Sequence, residues 1–324
     1  MTIEPDTAGS IMPAGDPAPL AAKPDGFRKI FIGPDGIRAG WRFAMFVAVF
    51  IALQYLVIQR GLRAIPAARE LARQAQAGGE LTVEFELVFE GAILGVALLA
   101  GWIMSRIEKR PFGVYGIPRE GAFGKLFWQG AVWGLAFYAV EMGIIASLGG
   151  FSFGTLALSG FALVKYAVLW AICFVLVGLF EEFLFRGYAQ YTLASGIGFW
   201  ASAFLLSALF GGTHLFNPGE GWVGAVEVFM FGIFACFTLQ RTGNLWFAIG
   251  FHAAGDYAET FIFSTPDSGL LAQGHLLNST FHGPRWLTGG TIGPEGSAID
   301  FVVFLLTFIV FALLYPAKGT TPRA

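Results

Sequence analysis

The sequence predicts an all-α, polytopic membrane protein, a bundle of about eight transmembrane helices with an active site inside the bundle. Three observations carry that prediction. Apolar residues make up 56% of the 324 and charged residues only 13%, about half the charged share of an ordinary soluble domain. The mean hydropathy is +0.65. The apolar residues also fall in continuous runs of roughly the 20 residues that a helix needs to cross a bilayer, not in the alternating segments of about ten that barrel strands show. Helices and closed barrels are the structures that satisfy every backbone polar group in lipid, so these runs read as helices. A net charge of −2 and the lack of a basic stripe interleaved with aromatics exclude a nucleic-acid partner.

Taken in order, residues 1–38 read as a disordered cytoplasmic tail. Met1 to Gly26 is rich in Pro, Ala, Gly and Asp and has no apolar stretch of the kind a cleavable signal peptide carries. Residues 39–110 then hold two transmembrane helices, with runs near 40–59 and 87–106, joined by a polar connector. Within that connector, Ala64 to Glu84 has the Ala, Glu, Arg and Gln content of a short amphipathic helix outside the membrane. The stretch from Arg110 to Ile117 is basic, aromatic and Gly-containing, and reads as an interfacial anchor leading into the third span.

Residues 111–265 form the expected catalytic core, with runs near 126–147, 161–180, 194–215, 223–240 and 245–264. A Gly-rich extracytoplasmic loop, 266–298, contains Gly283, Gly289, Gly290, Gly293 and Gly296. The last span and tail occupy 299–324. Lys and Arg crowd the flanks and loops on the N-terminal side and are sparse on the other, which places both termini in the cytoplasm of a multi-pass protein of the cell (inner) membrane. Cys173 and Cys236 lie inside apolar runs and read as packing residues. No internal repeat of the transporter kind is visible.

Ionisable groups at membrane depth are costly and mark functional sites, and three constellations of them stand out. Glu181 and Glu182 close the fourth run and precede Arg186. On a helix, Glu182 and Arg186 are i and i+4, on one face, with the carboxylate N-terminal to the cation. Glu181 points about 100° away and is left free to act as a general base; pairing of the glutamates with Arg186 and Lys165 is the plainer reading. Phe210 and His214 end the fifth run, beside Gly211 and Gly212. His252 and Asp256 are again i and i+4, so the carboxylate can orient the imidazole or share a ligand with it. His275 and His282 read as solvated. Glu90, Glu141, Glu227 and Glu259 read as paired or helix-end charges, with supporting roles open to Glu227 and Glu259.

Together, Glu-Glu-x-x-x-Arg at 181–186, Phe-x-x-x-His at 210–214 and His-x-x-x-Asp at 252–256 resemble the signature of the CAAX-protease and bacteriocin-processing (Abi, CPBP) family of intramembrane endopeptidases, over roughly residues 110–265. The resemblance implies that Glu181 and His214 activate a water, that Glu182 with Arg186 holds the helix, supported by Phe210, and that His252 and residue 256 stabilise the oxyanion. It implies peptide-bond hydrolysis near the cytoplasmic side of the bilayer, on a peptide or membrane-protein substrate, prenylated in one branch of the family. The family is described both as a metalloprotease and as a metal-independent glutamate protease. A divalent metal such as zinc would fall to Glu181, His214 and His252, with no His-Glu-x-x-His anywhere in the chain. Family members commonly carry Asn where this chain has Asp256, and an ionised carboxylate cannot donate to an oxyanion. Asp256 is therefore open to three roles: in the oxyanion hole when protonated, as a metal ligand, or as the group that orients His252. A non-catalytic scaffold or immunity-type protein of the same family, and a transporter with a buried charge relay, are the alternatives.

Overall fold

The computed structural model describes residues 26–317 except 27, 35, 79 and 218. Most of the expected 1–38 tail lies outside the described residues. The part that is described is ordered locally: Arg28–Phe31 forms one turn of helix, and β1 (Ile32–Gly33) pairs antiparallel with β2 (Gly36–Ile37).

From residue 39 onward the chain is a helical bundle. Helix α1 (Ala39–Gln54) continues as a π-helix to Leu62, and the polar connector supplies α2 (Pro66–Gly78). Helices α3 (Val83–Glu108) and α4 (Lys125–Ser147) follow. Helix α5 (Gly160–Glu182) passes through a π-helical turn, Phe183–Ala189, and ends as Gln190–Ile197. Then come α6 (Phe199–His214), α7 (Trp222–Thr242), α8 (Trp246–Asp256, continued by the π-turn Tyr257–Phe263) and α9 (Ala298–Leu314).

All eight apolar runs are therefore helical, and five of the helices are by themselves long and apolar enough to cross a membrane: Ala39–Leu62, Val83–Glu108, Lys125–Ser147, Gly160–Ile197 and Trp222–Thr242. The fourth run continues past Glu182, as the helical composition of Phe183 to Arg186 suggests, through the π-turn to a kink at Gly187 (φ −80°, ψ −107°). A further helical segment, Gln190–Ile197, ends at Gly198, whose φ of +86° only glycine adopts cheaply. The fifth helix correspondingly starts at 199, not at 194.

Packing adds detail at two further places. The 110–117 segment keeps Arg110, Pro111 and Val114 exposed, while its aromatic side chains point inward. Its short helix, Phe112–Tyr115, turns into the bundle, where Tyr115 is fully buried against Tyr188 and Tyr191, and Phe112 packs on Phe183. Lys165 pairs with Glu84 at 2.8 Å and so is not a partner for Glu181 or Glu182.

The most intimate helix pair is α4 with α8. A Cβ placed on Gly130 would lie 2.0 Å from the Phe247 carbonyl oxygen, and one on Gly134 2.3 Å from that of Phe251. Gly130 and Gly134 form a Gly-x-x-x-Gly face, which lets two backbones meet where lipid offers no hydrophobic drive for helix association. This contact fixes the helix that carries His252. The 265–297 loop does not simply hang outside the bundle. β4 (Thr280–Phe281) pairs with β3 (Phe151–Ser152), and Trp170 Nε1 donates to the Gln273 carbonyl, so the loop is laced onto the helices. Gly134→Val should therefore lower unfolding stability by about 3 kcal/mol, the upper range for overpacking. Thermal unfolding in detergent checks it, and a change below about 0.5 kcal/mol would mean that the helices do not meet here.

Candidate active site

Glu182 and Arg186 straddle the point where α5 passes into its π-helical turn, a local underwinding common at functional sites. Both side chains are 0% exposed and pair at 3.2 Å through Glu182 Oε1 and an Arg186 terminal nitrogen. The same Oε1 lies 3.2 Å from Nδ1 of His252. Burying an isolated charge in lipid or protein costs several kcal/mol, and the pairing offsets it. The remaining guanidinium surface is met by π-faces: the Arg186 Cζ stands 4.2 Å over the Phe210 ring and 5.6 Å over Phe231.

Phe210 passes this arrangement on to α6. Its ring meets the His214 imidazole edge-on at 4.7 Å, and its carbonyl oxygen lies 2.9 Å from His214 Nδ1. Only a protonated Nδ1 makes that a hydrogen bond, so in the neutral imidazole the proton sits on Nδ1 and Nε2 keeps its lone pair.

His252 is 8% exposed, with both ring nitrogens facing carboxylates. Nδ1 faces Glu182, and Nε2 lies 3.5 Å from Glu181 Oε2 and 3.5 Å from Asp256 Oδ2. Glu181 has no arginine partner, and its side chain is 21% exposed against 0% for its neighbour. Glu181, Phe210, His214, His252 and Asp256 line one cavity of about 370 Å³, whereas Glu182 and Arg186 lie behind its wall.

The cavity also has further acidic walls, of which the sequence had marked Glu90 and Glu227 as membrane charges. Glu86 and Glu90, four residues apart on α3, face it, as do Glu227 on α7 and Asp267, Ser268 and Glu295 from the loop. The i, i+4 spacing of Glu86 and Glu90 inside an apolar helix was a readable signal; Asp267 and Glu295, in an irregular loop, offered none. The loop assigned by charge bias to the side away from the termini thus reaches the cavity of the catalytic candidates. His275 and His282 do lie apart, bonded to the Leu277 carbonyl and to Ser152 and Thr280.

Among the described residues, the one group of His, Cys, Asp and Glu whose ligand atoms all approach within 4.8 Å is Glu259, Asp267 and Glu295; Glu181, His214 and His252, which would hold a divalent metal, stand wider apart than that. Each nitrogen of His252 is instead directed at a carboxylate.

Residues 162–258 match the family model described as type II CAAX prenyl endopeptidase, Rce1-like. The match contains all three motifs and bears out the family resemblance. That segment is similar to the CAAX-protease family, and the apolar helices around it make the chain a multi-pass membrane protein. No curated protein and no solved structure matches it.

Removing one member of the buried pair leaves the other charge uncompensated. Arg186→Met should lower stability by about 3–5 kcal/mol, and the double variant Glu182→Gln/Arg186→Met should recover at least half of that loss. A double-mutant cycle on thermal unfolding measures it; additive losses would show that the pair does not couple.

Proposed function

We propose that the protein is an intramembrane endopeptidase, CAAX-prenyl-protease-like, that hydrolyses a peptide bond with a water activated by Glu181 and His214. The observation that supports this most is the convergence of Glu181, His214, His252 and Asp256, from three helices, on one cavity. The substrate is a peptide or membrane protein held in the bilayer, prenylated or not, and both termini are cytoplasmic by charge bias.

The division of labour follows from burial. Glu182 is sealed and already shared between Arg186 and His252, so it positions the site. Glu181 faces the cavity and can take a proton from water as the water oxygen attacks the scissile carbonyl carbon. His214, protonated at Nδ1, presents Nε2 as an acceptor for the same water. The carbonyl oxygen gains charge as the tetrahedral intermediate forms, and the N–H at Nε2 of His252 is the donor available to it. The C–N bond then breaks as Glu181 returns its proton to the leaving amine. Asp256 stands 3.5 Å from His252 Nε2. In this reading it orients the imidazole, a role that the family's commoner Asn can also fill.

Glu181→Gln and His214→Ala should each reduce kcat by at least about 100-fold, with unchanged thermal unfolding. Asp256→Asn should keep or raise kcat, and Asp256→Ala should lower it about tenfold or more. Cleavage of a peptide library, prenylated members included, reads all four. A folded wild type that cleaves nothing would sink the hydrolase reading in favour of the scaffold, and an inactive Asp256→Asn would sink the assignment of Asp256.

A further inference from the structure

Above the catalytic candidates, where α8 runs into the loop, three carboxylates face one another. Glu259 sits in the π-helical turn that ends α8, Asp267 in the loop just after it, and Glu295 in the short helix Pro294–Gly296. A carboxylate oxygen of each lies within 4.8 Å of the other two. Glu259 is 0% exposed, and neither of its oxygens has a hydrogen-bond partner; the Tyr138 hydroxyl beside it does not reach hydrogen-bond geometry. A buried carboxylate left this way costs several kcal/mol unless something neutralises it. Arg and Lys are missing from the cavity wall next to it.

The other two carboxylates are held in place by their neighbours. Asp267 Oδ2 accepts from the Thr260 hydroxyl at 2.9 Å, and Glu295 Oε2 accepts from the Ser268 amide at 2.8 Å and its hydroxyl at 3.1 Å. Burial pushes Asp267 up to about 6 and holds Glu295 well above the carboxylate range, with Glu227 and Glu220 adding repulsion to the latter. Gly293, at φ +108°, lets the loop close on this cluster: a Cβ there would lie 2.2 Å from the Pro266 carbonyl oxygen and 3.2 Å from Glu259 Oε1, so only glycine admits the carbonyl and the carboxylate this near.

We propose that Glu259, Asp267 and Glu295 form a binding site for a divalent, oxygen-seeking cation of the calcium type, with the Pro266 carbonyl beside it. All the donors are oxygen, the set that hard cations prefer and that zinc and copper sites seldom use alone. Oxygens bound to one Ca²⁺ at 2.3–2.6 Å stand up to about 5 Å apart, which the observed spacing allows. The cation would tie the 265–297 loop to the end of the helix that carries His252 and Asp256. The argument for the site does not use the protease reading, although Asp267 and Glu295 line the same cavity as the reacting groups.

The test uses the full chain in detergent, stripped with EDTA and desalted, with Ca²⁺ binding followed by equilibrium dialysis and thermal unfolding read with and without Ca²⁺. The wild type should bind one Ca²⁺ per chain and unfold at a higher temperature in its presence. Glu259→Gln and Asp267→Asn should each weaken binding at least tenfold and lose the thermal shift, while Glu181→Gln binds as the wild type does. Asp267 is only partly buried, so its variant keeps the test informative if Glu259→Gln folds poorly. No Ca²⁺ or Mg²⁺ bound by the wild type at millimolar concentration would overturn the proposal. So would wild-type binding in both loop variants, or loss of binding in Glu181→Gln.

Discussion

The ion pair of Glu182 and Arg186, fully buried inside the bundle, is the constraint on which the rest of the site depends. Two charges taken out of water are costly unless they are paired, and the contacts that these two make reach His252 and His214. Glu182 also meets His252 on α8. Arg186 lies on the face of Phe210, and Phe210 in turn seats His214 on α6 by its ring and its carbonyl. Three helices are thus registered through one pair at their centre. The adjacent Glu181, a third of a turn away, is left facing the cavity with its reactivity unspent. Close packing of α4 on α8 through Gly130 and Gly134 supplies the rigidity that the polar contacts alone would lack.

Much of this was legible in the sequence because its causes are local. Runs of apolar residues specify helices in lipid whatever their neighbours, so each of the eight is present. The i, i+4 spacings of Glu182 with Arg186 and of His252 with Asp256 survive because helical geometry fixes them, and ion-pair distances of 3.2 and 3.5 Å result. What was not legible depended on distant partners. Lys165 looked available to the glutamates, but Glu84, 81 residues earlier, takes it. Tyr115 looked interfacial because its neighbours are basic, yet the Tyr188 and Tyr191 rings draw it inward. The kink at Gly187, and the further helical segment that follows it to Gly198, left no mark in the hydropathy.

The cavity has two electrostatic regions. Around His252 the carboxylates are interleaved with an imidazole and lie next to a guanidinium, so positive groups are at hand for charge that develops during a reaction. Toward the loop, Glu227, Asp267 and Glu295 line the wall with no cation among the lining residues. Such a gradient favours the reaction end for developing negative charge and the loop end for positive ligands.

The central claim is that a peptide reacts between Glu181 and His252 in this cavity. The most direct measurement is an electron-microscopy structure of the Glu181→Gln protein in lipid nanodiscs with an uncleaved peptide bound. The account predicts peptide density in the cavity, with the scissile carbonyl carbon facing residue 181 and His214 and its oxygen turned toward His252. A peptide bound elsewhere, or a scissile carbonyl turned away from His252 with these side chains in place, would contradict it.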